Sequence, residues 1–358
     1  MPLALEALKR DYDVSLITEN TGLFNELTAL GLRCYHLQFG RGYSNPVHEM
    51  IIAFKLYRYY TILSPDIIHH VTLKPYLYGS IAARAHSKKH LIVNAVTGLG
   101  SVFANDKKKS IGFIIKQTIK LFLKNTNNTK YIFQNADDIR FFKGIIKLEN
   151  NKYSIIKGSG VDEKVFNKSN KEDDKIRVTF VGRILKDKGV FEFIQAAKLL
   201  KAELFGRCEF LLVGSIDTSN PSSIKEDTLI NLMEENYITW LGHRSDIKEI
   251  YNNTDIACLP SYREGLPKSL VEAMAMSCPI ITTDAPGCRD CVDEGHNGFL
   301  VPVKDYEILA DRILTLANDQ QLRLTMGMAS RKKMVKEMSL DKVIEQTFSL
   351  YEHTRLDP

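Results

Sequence analysis

Short apolar runs alternate with helical segments along the second half of the chain. The runs are rich in Val, Ile, Leu and Phe and occupy residues 175–183, 208–215, 237–242, 255–261 and 279–284. Segments of helical periodicity lie between them, including residues 189–200 and 222–236. Because parallel strands need a crossover of about a dozen residues or more, this alternation predicts a doubly wound parallel α/β sheet with helices on both faces.

The first half of the chain repeats the pattern. Its predicted strands lie at residues 12–18, 65–72, 89–98 and 129–136, and the polar segment 167–175 is interpreted as a linker between the halves. With 358 residues, 44% of them hydrophobic, the chain can bury two domain cores. Ligands of open parallel sheets bind at the carboxyl ends of the strands, so two sheets facing each other would share a cleft.

The segment "EGLPKSLVEAMAM" places one glutamate before a predicted helix and another inside it. Pro267 suits the first helical turn, and the free N–H groups near Lys268 and Ser269, together with the helix dipole, favour a phosphate. Carboxylates accept hydrogen bonds from sugar hydroxyls, so Glu264 and Glu272 on either side of a phosphate site suit a nucleotide sugar. The alternative is that Glu264 is an anion before the helix favoured by its dipole and that Glu272 is an exposed helical residue.

A second charged group follows the first strand of the second half. Gly182 and Arg183 end the predicted strand 175–183 and Lys188 follows it, so that an Arg fork and an ammonium would bind a diphosphate there. They converge with the Glu264 loop on one edge of the predicted sheet, although each could also be a solvated loop charge. The sequence has no G-x-G-x-x-G after a strand, no G-x-S-x-G and no Walker loop, which disfavours dehydrogenases, α/β-hydrolases and P-loop enzymes.

Charge and cysteine content restrict the compartment and the cofactors. The net charge of +5 is too small to indicate nucleic acid, but it is compatible with an anionic ligand or membrane surface. The sequence has neither a membrane-span-length apolar stretch nor a signal peptide, so we expect a cytoplasmic protein. The six cysteines are scattered, and Cys288 and Cys291 with His296 form an isolated C-x-x-C for which we expect no zinc.

Residues 105–124 have a basic amphipathic pattern. Four lysines lie opposite an isoleucine stripe at helical spacing, namely Lys109, Lys116, Lys120 and Lys124. A core-packed helix with a solvated basic face and a helix docked on an anionic membrane remain equally open. The paired histidines at 69 and 70 are interpreted as packed or capping residues, while Lys74 either meets an acceptor phosphate or is solvated.

Several motifs together resemble glycosyltransferase family 4, whose members are retaining enzymes with the GT-B fold. In the second half these are "VGRILKDKGVFEFIQAA", "FLLVGS", the E-x7-E signature at Glu264 and Glu272, and "NGFLVPVKD". In the first half "HHVTLKPYLYGSIAAR", "NAVTGLGSVF", "YIFQNADDIRFF" and "IKGSGVDEKVF" resemble bacterial members that build O-antigen or capsule-type polysaccharides on undecaprenyl diphosphate. The resemblance implies two Rossmann-like domains facing a cleft, with limits at 1–157 and 158–338, and a C-terminal helix at about 340–355 that packs on the first domain.

The same resemblance implies roles for individual residues. Arg183 and Lys188 would hold the donor diphosphate, Glu272 the ribose and Glu264 the transferred sugar, by front-face transfer with no metal ion. The amides of the loop would bind the phosphate or sugar, and a second loop would line the cleft near the hinge; these loops are Gly265, Leu266, Pro267 and Lys268, and Gly158, Ser159 and Gly160.

The expected function is transfer of a hexose or N-acetylhexosamine from a UDP-sugar to a lipid-linked saccharide at the inner face of the cytoplasmic membrane. The alternatives are a nucleotide-sugar epimerase of related fold and an inactive nucleotide-sugar-binding remnant. The sequence begins inside what resembles the first helix, with "PLALEALKR" before "YDVSLIT". A right-handed β-α-β unit needs a strand before that helix, so we expect a break in the first sheet.

Overall fold

The computed structural model describes residues 1–40, 46–86, 88–98, 116–117, 119–120, 128–169 and 174–352. The chain divides into two compact units. The first comprises Met1–Ile156 and the C-terminal segment that begins at Ile344, and the second comprises Lys157–Val343.

Two separate parallel sheets form the first unit. In the smaller one, β1 (Ser15–Thr18) pairs with β2 (Arg33–His36). The larger one has the order β3-β4-β5-β6, with β3 (Ile67–Val71), β4 (Leu91–Val96), β5 (Thr129–Phe133) and β6 (Tyr153–Ile155). Within the described residues no strand joins the two sheets, which agrees with the expected break. The helices of this unit are α1 (Pro2–Lys9), α2 (Phe24–Ala29), α3 (Pro46–Leu63), α4 (Leu73–Ala85) and α5 (Ala136–Lys143).

The second unit contains one six-stranded sheet in which every neighbouring pair is parallel. Its strands are β7 (Ile176–Val181), β8 (Cys208–Val213), β9 (Ile238–Trp240), β10 (Ile256–Leu259), β11 (Ile280–Thr283) and β12 (Gly298–Val301). The order across the sheet is β12-β11-β10-β7-β8-β9. The chain therefore starts at the centre, builds one side, returns to the centre and builds the other, which confirms the predicted doubly wound sheet.

Eight helices lie within or cross into the second unit among the described residues: α6 (Val190–Leu199), α7 (Lys201–Leu204), α8 (Glu226–Ile230), α9 (Ile247–Asn252), α10 (Lys268–Ala275), α11 (Tyr306–Asn318), α12 (Gln320–Met338) and α13 (Leu340–Glu352). Side chains cap two of the longest, because Asp305 accepts from the Ile308 N–H (2.9 Å) and Asp319 from the Leu322 N–H (2.8 Å). The central strands β10 and β11 are buried along their whole length, as expected for strands covered on both faces.

The interpretation of residues 167–175 as a linker is wrong. The boundary between the units lies earlier, at residues 156 and 157. Lys168 Nζ donates to the Thr254 carbonyl (2.9 Å), and the Ser169 N–H donates to Asn252 Oδ1 (2.8 Å). Lys168 and Ser169 therefore bond to the end of α9 and the turn after it, within the second unit.

The helix predicted at residues 222–236 is also much shorter than expected, since only Glu226–Ile230 is helical. Ser223 forms an antiparallel bridge with Leu185 on one side of it. On the other side the Glu234 N–H donates to the Ile238 carbonyl (3.0 Å), and Asn236 adopts a φ of 58°. Because these backbone groups have non-helical partners, the helical periodicity of the flanking residues does not extend the helix.

Helix α13 carries aromatic side chains that pack in the first unit. The Tyr12 and Phe348 rings lie 5.6 Å apart, and His69 Nδ1 lies 2.6 Å from the Tyr351 hydroxyl. On the opposite face of β3, His70 lies between the Tyr60 hydroxyl (2.9 Å) and Asn94 Oδ1 (2.7 Å). Burial lowers the pKa of both imidazoles to about 4. The interpretation of these histidines as packed residues is confirmed.

Candidate functional site

The carboxyl ends of β7 and β10 define a switch point in the second sheet. These strands are neighbours, with Ile256 opposite Val178, but the chain leaves them in opposite directions, toward β8 after β7 and toward β11 after β10. A crevice forms at such a point because the two following connections diverge to opposite faces of the sheet. The segments that leave here are residues 182–188 and 261–267, which contain most of the predicted site residues.

Backbone contacts hold the two segments together. Gly189 has a φ of 77°, and a Cβ there would lie closer than 3.0 Å to the Pro260 carbonyl, so only glycine permits this approach. The Asp187 carbonyl accepts hydrogen bonds from the Tyr262 N–H (2.9 Å) and the Ser261 hydroxyl (3.2 Å). The connection after β7 therefore supports the loop after β10.

Lys188 and Glu264 form an ion pair at the centre of this edge. Their side chains are only 18% and 14% exposed, so the pair is largely removed from water. The Glu264 N–H donates to the Pro286 carbonyl (3.0 Å), and Gly287 lets that chain approach, because a Cβ there would clash with the Glu264 carbonyl. The structure thus brings together the two residues predicted to bind the diphosphate and the sugar.

Helix α10 begins directly after this loop. Pro267 is its N-cap residue, and Leu270 and Val271 are the first amides that donate within the helix, both to the Pro267 carbonyl. The predicted helix start near Pro267 is confirmed. By helix geometry the amides of Lys268 and Ser269 precede those donors and carry the positive end of the dipole.

Glu272 lies one turn into α10 and is 9% exposed. Its carboxylate pairs with Lys268 Nζ at 3.3 Å. Burial raises the pKa of Glu272, and the Lys268 ammonium opposes this effect. A largely buried carboxylate of this kind can accept two hydrogen bonds from a vicinal diol in place of water.

Arg183 lies at the same edge but has a different partner. Its guanidinium donates to Asp217, on the loop after β8, at 3.0 Å. The Arg183 side chain is 54% exposed, whereas that of Asp217 is 11% exposed. The Arg183–Asp217 pair therefore places a guanidinium at the rim of the edge, where it is accessible to an anion.

Two glycines of the second predicted loop pack within the second unit. Gly158 has a φ of 74°, and a Cβ there would lie 3.0 Å from Leu266 Cδ2, so this loop touches the one that carries Glu264. Gly160, also with a φ of 74°, packs against Leu340 at the start of α13. Ser159, between them, is exposed.

Sequence reasoning missed one buried contact beneath the Glu264 loop. The Tyr262 hydroxyl donates to Glu192 Oε1 at 2.6 Å, and burial, followed by this carboxylate, raises the pKa of the tyrosine. Glu192 is 8% exposed, and its Oε2 has no hydrogen-bond partner among the described residues. The sequence feature that could have indicated this contact is Glu192 itself, a carboxylate in the first turn of α6, whose other side chains are mostly apolar.

The remaining candidates lie elsewhere. Cys288 and Cys291 are fully buried, and burial raises the pKa of the Cys288 thiol to about 12. Within the described residues, no group of three or more His, Cys, Asp or Glu side chains could hold a metal ion. Lys74 is not a solvated lysine, because its side chain is 12% exposed and its ammonium donates to Glu49 Oε1 (3.0 Å) and the Phe39 carbonyl (2.9 Å). Most of the basic stretch 105–124, including Lys109 and Lys124, lies outside the described residues.

Known families match both halves of the chain. Residues 161–333 match the family described as glycosyl transferases group 1, and residues 1–135 match a glycosyl transferase 4-like family. A Campylobacter jejuni protein, N,N'-diacetylbacillosaminyl-diphospho-undecaprenol alpha-1,3-N-acetylgalactosaminyltransferase, is 31% identical over 91% of this chain and 88% of its own length. The Escherichia coli UDP-Gal:alpha-D-GlcNAc-diphosphoundecaprenol alpha-1,3-galactosyltransferase is 26% identical over 95% and 89%, respectively.

A solved structure shares the fold. The crystal structure of a glycosyltransferase from Rickettsia africae superposes with a TM-score of 0.79, at 18% identity, over 100% of this chain and 94% of that one. The two parallel α/β units have the GT-B fold, and the matched family models and relatives identify the chain as a glycosyltransferase. The chain belongs to the group 1 glycosyl transferases, the family 4 type. None of the described helices combines the length and the low polarity needed to cross a bilayer.

Proposed function

We propose that this enzyme transfers a hexose or N-acetylhexosamine from a UDP-sugar to a lipid-linked saccharide, with retention of anomeric configuration. The product would be an intermediate of O-antigen, lipopolysaccharide or capsule-type polysaccharide. The observation that carries the proposal is the Lys188–Glu264 pair at the switch point, immediately before the N-terminus of α10. The Lys188 ammonium and the N-terminus of α10 suit the diphosphate of such a donor, and the Glu264 carboxylate suits its sugar hydroxyls.

Each group at this edge has a place in the proposed reaction. Lys188, Arg183 and the amides at the start of α10 stabilise the negative charge that develops on the departing diphosphate. Glu264 exchanges its ammonium partner for sugar hydroxyls, and Glu272 accepts hydrogen bonds from the ribose. The bond from the anomeric carbon to the diphosphate oxygen breaks as the acceptor hydroxyl attacks from the same face, and that phosphate oxygen takes the acceptor proton.

We propose that this charge stabilisation needs no metal ion, because the Lys188 ammonium, the Arg183 guanidinium and the α10 dipole supply the positive charge. The names of the two relatives support the acceptor, since both specify a saccharide on undecaprenyl diphosphate and one specifies UDP-galactose. An acceptor of this kind lies in the cytoplasmic membrane, so the proposed location is its inner face. Lys109, Lys116, Lys120 and Lys124 are proposed to contact anionic lipid there; Lys116 and Lys120 are exposed.

The test is release of UDP from a panel of UDP-sugars, with and without lipid-linked saccharide acceptors. Release that requires the acceptor supports the transferase; interconversion of sugars without acceptor indicates the epimerase; UDP binding without turnover indicates an inactive binding protein. Lys188→Ala should abolish transfer. Lys186→Ala is the matched control, because this exposed lysine lies in the same short helical turn, Lys186–Lys188, and should retain activity.

A further inference from the structure

Helix α3 of the first unit presents an apolar stripe to solvent. Five large apolar side chains at helical spacing are exposed: Val47 (63%), Met50 (73%), Ile51 (45%), Phe54 (61%) and Ile62 (69%). The opposite face of the same helix is also apolar, with Ile52, Leu56 and Tyr60 buried in the core of this unit. Val47, Met50, Ile51 and Phe54 form a continuous apolar patch over the first two turns, and Arg58 and Thr61 separate it from Ile62. Single exposed apolar residues are ordinary, but four of them together on one helix face mark a surface that contacts something.

The charges on this helix favour an anionic partner. The exposed residues His48 and Lys55 flank the apolar side chains, and the exposed Arg58 lies on the same face between Phe54 and Ile62. The only acidic residue of α3 is Glu49, which is 9% exposed and accepts from Lys74 Nζ at 3.0 Å. The outward face therefore carries apolar and cationic groups with no exposed carboxylate. An anionic lipid surface matches both components, because its acyl boundary accepts the apolar side chains and its phosphates attract the cationic ones.

We infer that the outward face of α3 inserts into the interfacial region of an anionic bilayer, with the helix axis parallel to the membrane. This inference rests on the proposed function, because a lipid-linked acceptor requires the enzyme to work at a membrane surface. Phe54, Met50 and Ile62 would enter the boundary between headgroups and acyl chains, about 5–10 Å deep. Lys55 and Arg58 would contact the phosphates above them. The 18 residues of α3 give a contact about 27 Å long at roughly 1.5 Å per residue.

The first experiment is flotation with vesicles of phosphatidylcholine alone and of phosphatidylcholine mixed with phosphatidylglycerol. The full chain should bind the mixed vesicles and bind the neutral ones weakly. Met50→Gln combined with Phe54→Gln should weaken binding by about tenfold or more, because two buried apolar side chains are lost. Leu324→Gln with Met328→Gln is the matched control, since these residues are an exposed apolar pair at the same spacing on α12 (55% and 63%).

A fluorescent probe tests insertion at a single position. Trp240 is the only native tryptophan and lies in the second unit, so its emission provides a constant background. Phe54→Trp should shift its emission to shorter wavelength on mixed vesicles and be quenched by lipids brominated near the headgroup. Leu324→Trp should show neither effect.

Three results would overturn the inference. The first is absence of vesicle binding, and the second is binding that the α3 variants leave unchanged. The third is a wild-type dimer in lipid-free solution that the α3 variants convert to monomer, which would assign this face to a second copy of the chain. Calorimetric titration with UDP keeps the two proposals apart, because the α3 variants should bind UDP like wild type. Normal vesicle binding without transfer would refute only the proposed function.

Discussion

Replacing Tyr262 by phenylalanine tests whether the buried contact with Glu192 supports the Glu264 loop. The change removes one hydroxyl and leaves a carboxylate that is 8% exposed without its only hydrogen-bond donor among the described residues. Loss of a hydrogen bond to a charged group costs roughly 1.5–3 kcal/mol. Tyr237→Phe is the matched control in the same unit, because that hydroxyl donates to a neutral acceptor, the Ala197 carbonyl (2.8 Å). Its loss should cost only about 1 kcal/mol.

Hydrogen exchange of the β10 backbone amides measures the loss of stability that each variant causes in the second unit. Protection should fall about ten- to a hundredfold in Tyr262→Phe and about fivefold in Tyr237→Phe, since 1.4 kcal/mol corresponds to tenfold. Glu192→Leu removes the carboxylate, so Tyr262→Phe in that background should cost little. Equal protection losses in both backgrounds would refute the coupling. In Tyr262→Phe the turnover should fall together with the amide protection. UDP affinity should change less, because the loop carries Glu264, the proposed sugar contact, and not Glu272, the proposed ribose contact.

Four further outcomes are expected. Glu272→Ala and Arg183→Ala should each weaken UDP binding about ten- to a hundredfold by calorimetric titration, and unchanged affinity in both would refute the site. Glu264→Ala should instead lower the rate of sugar transfer with little change in UDP affinity; an equal loss of both would contradict its assignment to the sugar. The folded state raises the pKa of Glu272 above 4.5, so protonation of this carboxyl favours folding. The free energy of unfolding of the second unit should therefore fall as the pH rises from 4.5 through the raised pKa. Glu272→Gln should flatten this pH dependence, as measured by urea unfolding. Gly189→Ala should cost about 3–5 kcal/mol in thermal unfolding, through backbone strain and a clash with the Pro260 carbonyl, whereas Gly206→Ala, with a similar φ of 82° in open space, should cost about 1–2 kcal/mol; equal losses would show that the close approach is unimportant.

Features that depend on local chemistry could be predicted from the sequence. The continuous apolar runs at β10 and β11 indicated buried parallel strands, and Pro267 indicated the start of α10 because a proline has no N–H to leave unpaired. The rule that ligands bind at strand ends then brought residues 182–188 and the Glu264 loop to one edge. These predictions required only periodicity and backbone chemistry.

Pairings between distant residues could not be predicted. Arg183 meets Asp217 across 34 positions and Tyr262 meets Glu192 across 70, and nothing in either local sequence specifies the partner. The supposed linker at 167–175 and the overlong helix at 222–236 failed for the same reason. Lys168 bonds to the Thr254 carbonyl, and Ser223 bridges to Leu185, so each segment has a partner elsewhere in the second unit that its local sequence does not indicate.

The sheet order of the second unit also dictates when its site can form during synthesis. The first strand made, β7, can pair with β8, and β8 with β9, as they emerge, but the other edge of β7 must wait for β10, since Val178 pairs with Ile256. At roughly 5–20 residues per second, the intervening 78 positions (256 minus 178) take about 4–16 seconds. Throughout that interval the nascent chain has an unpaired apolar strand edge, which is a template for intermolecular pairing and a surface for chaperones. Lys188 and Glu264, 76 positions apart, cannot meet until this edge is covered.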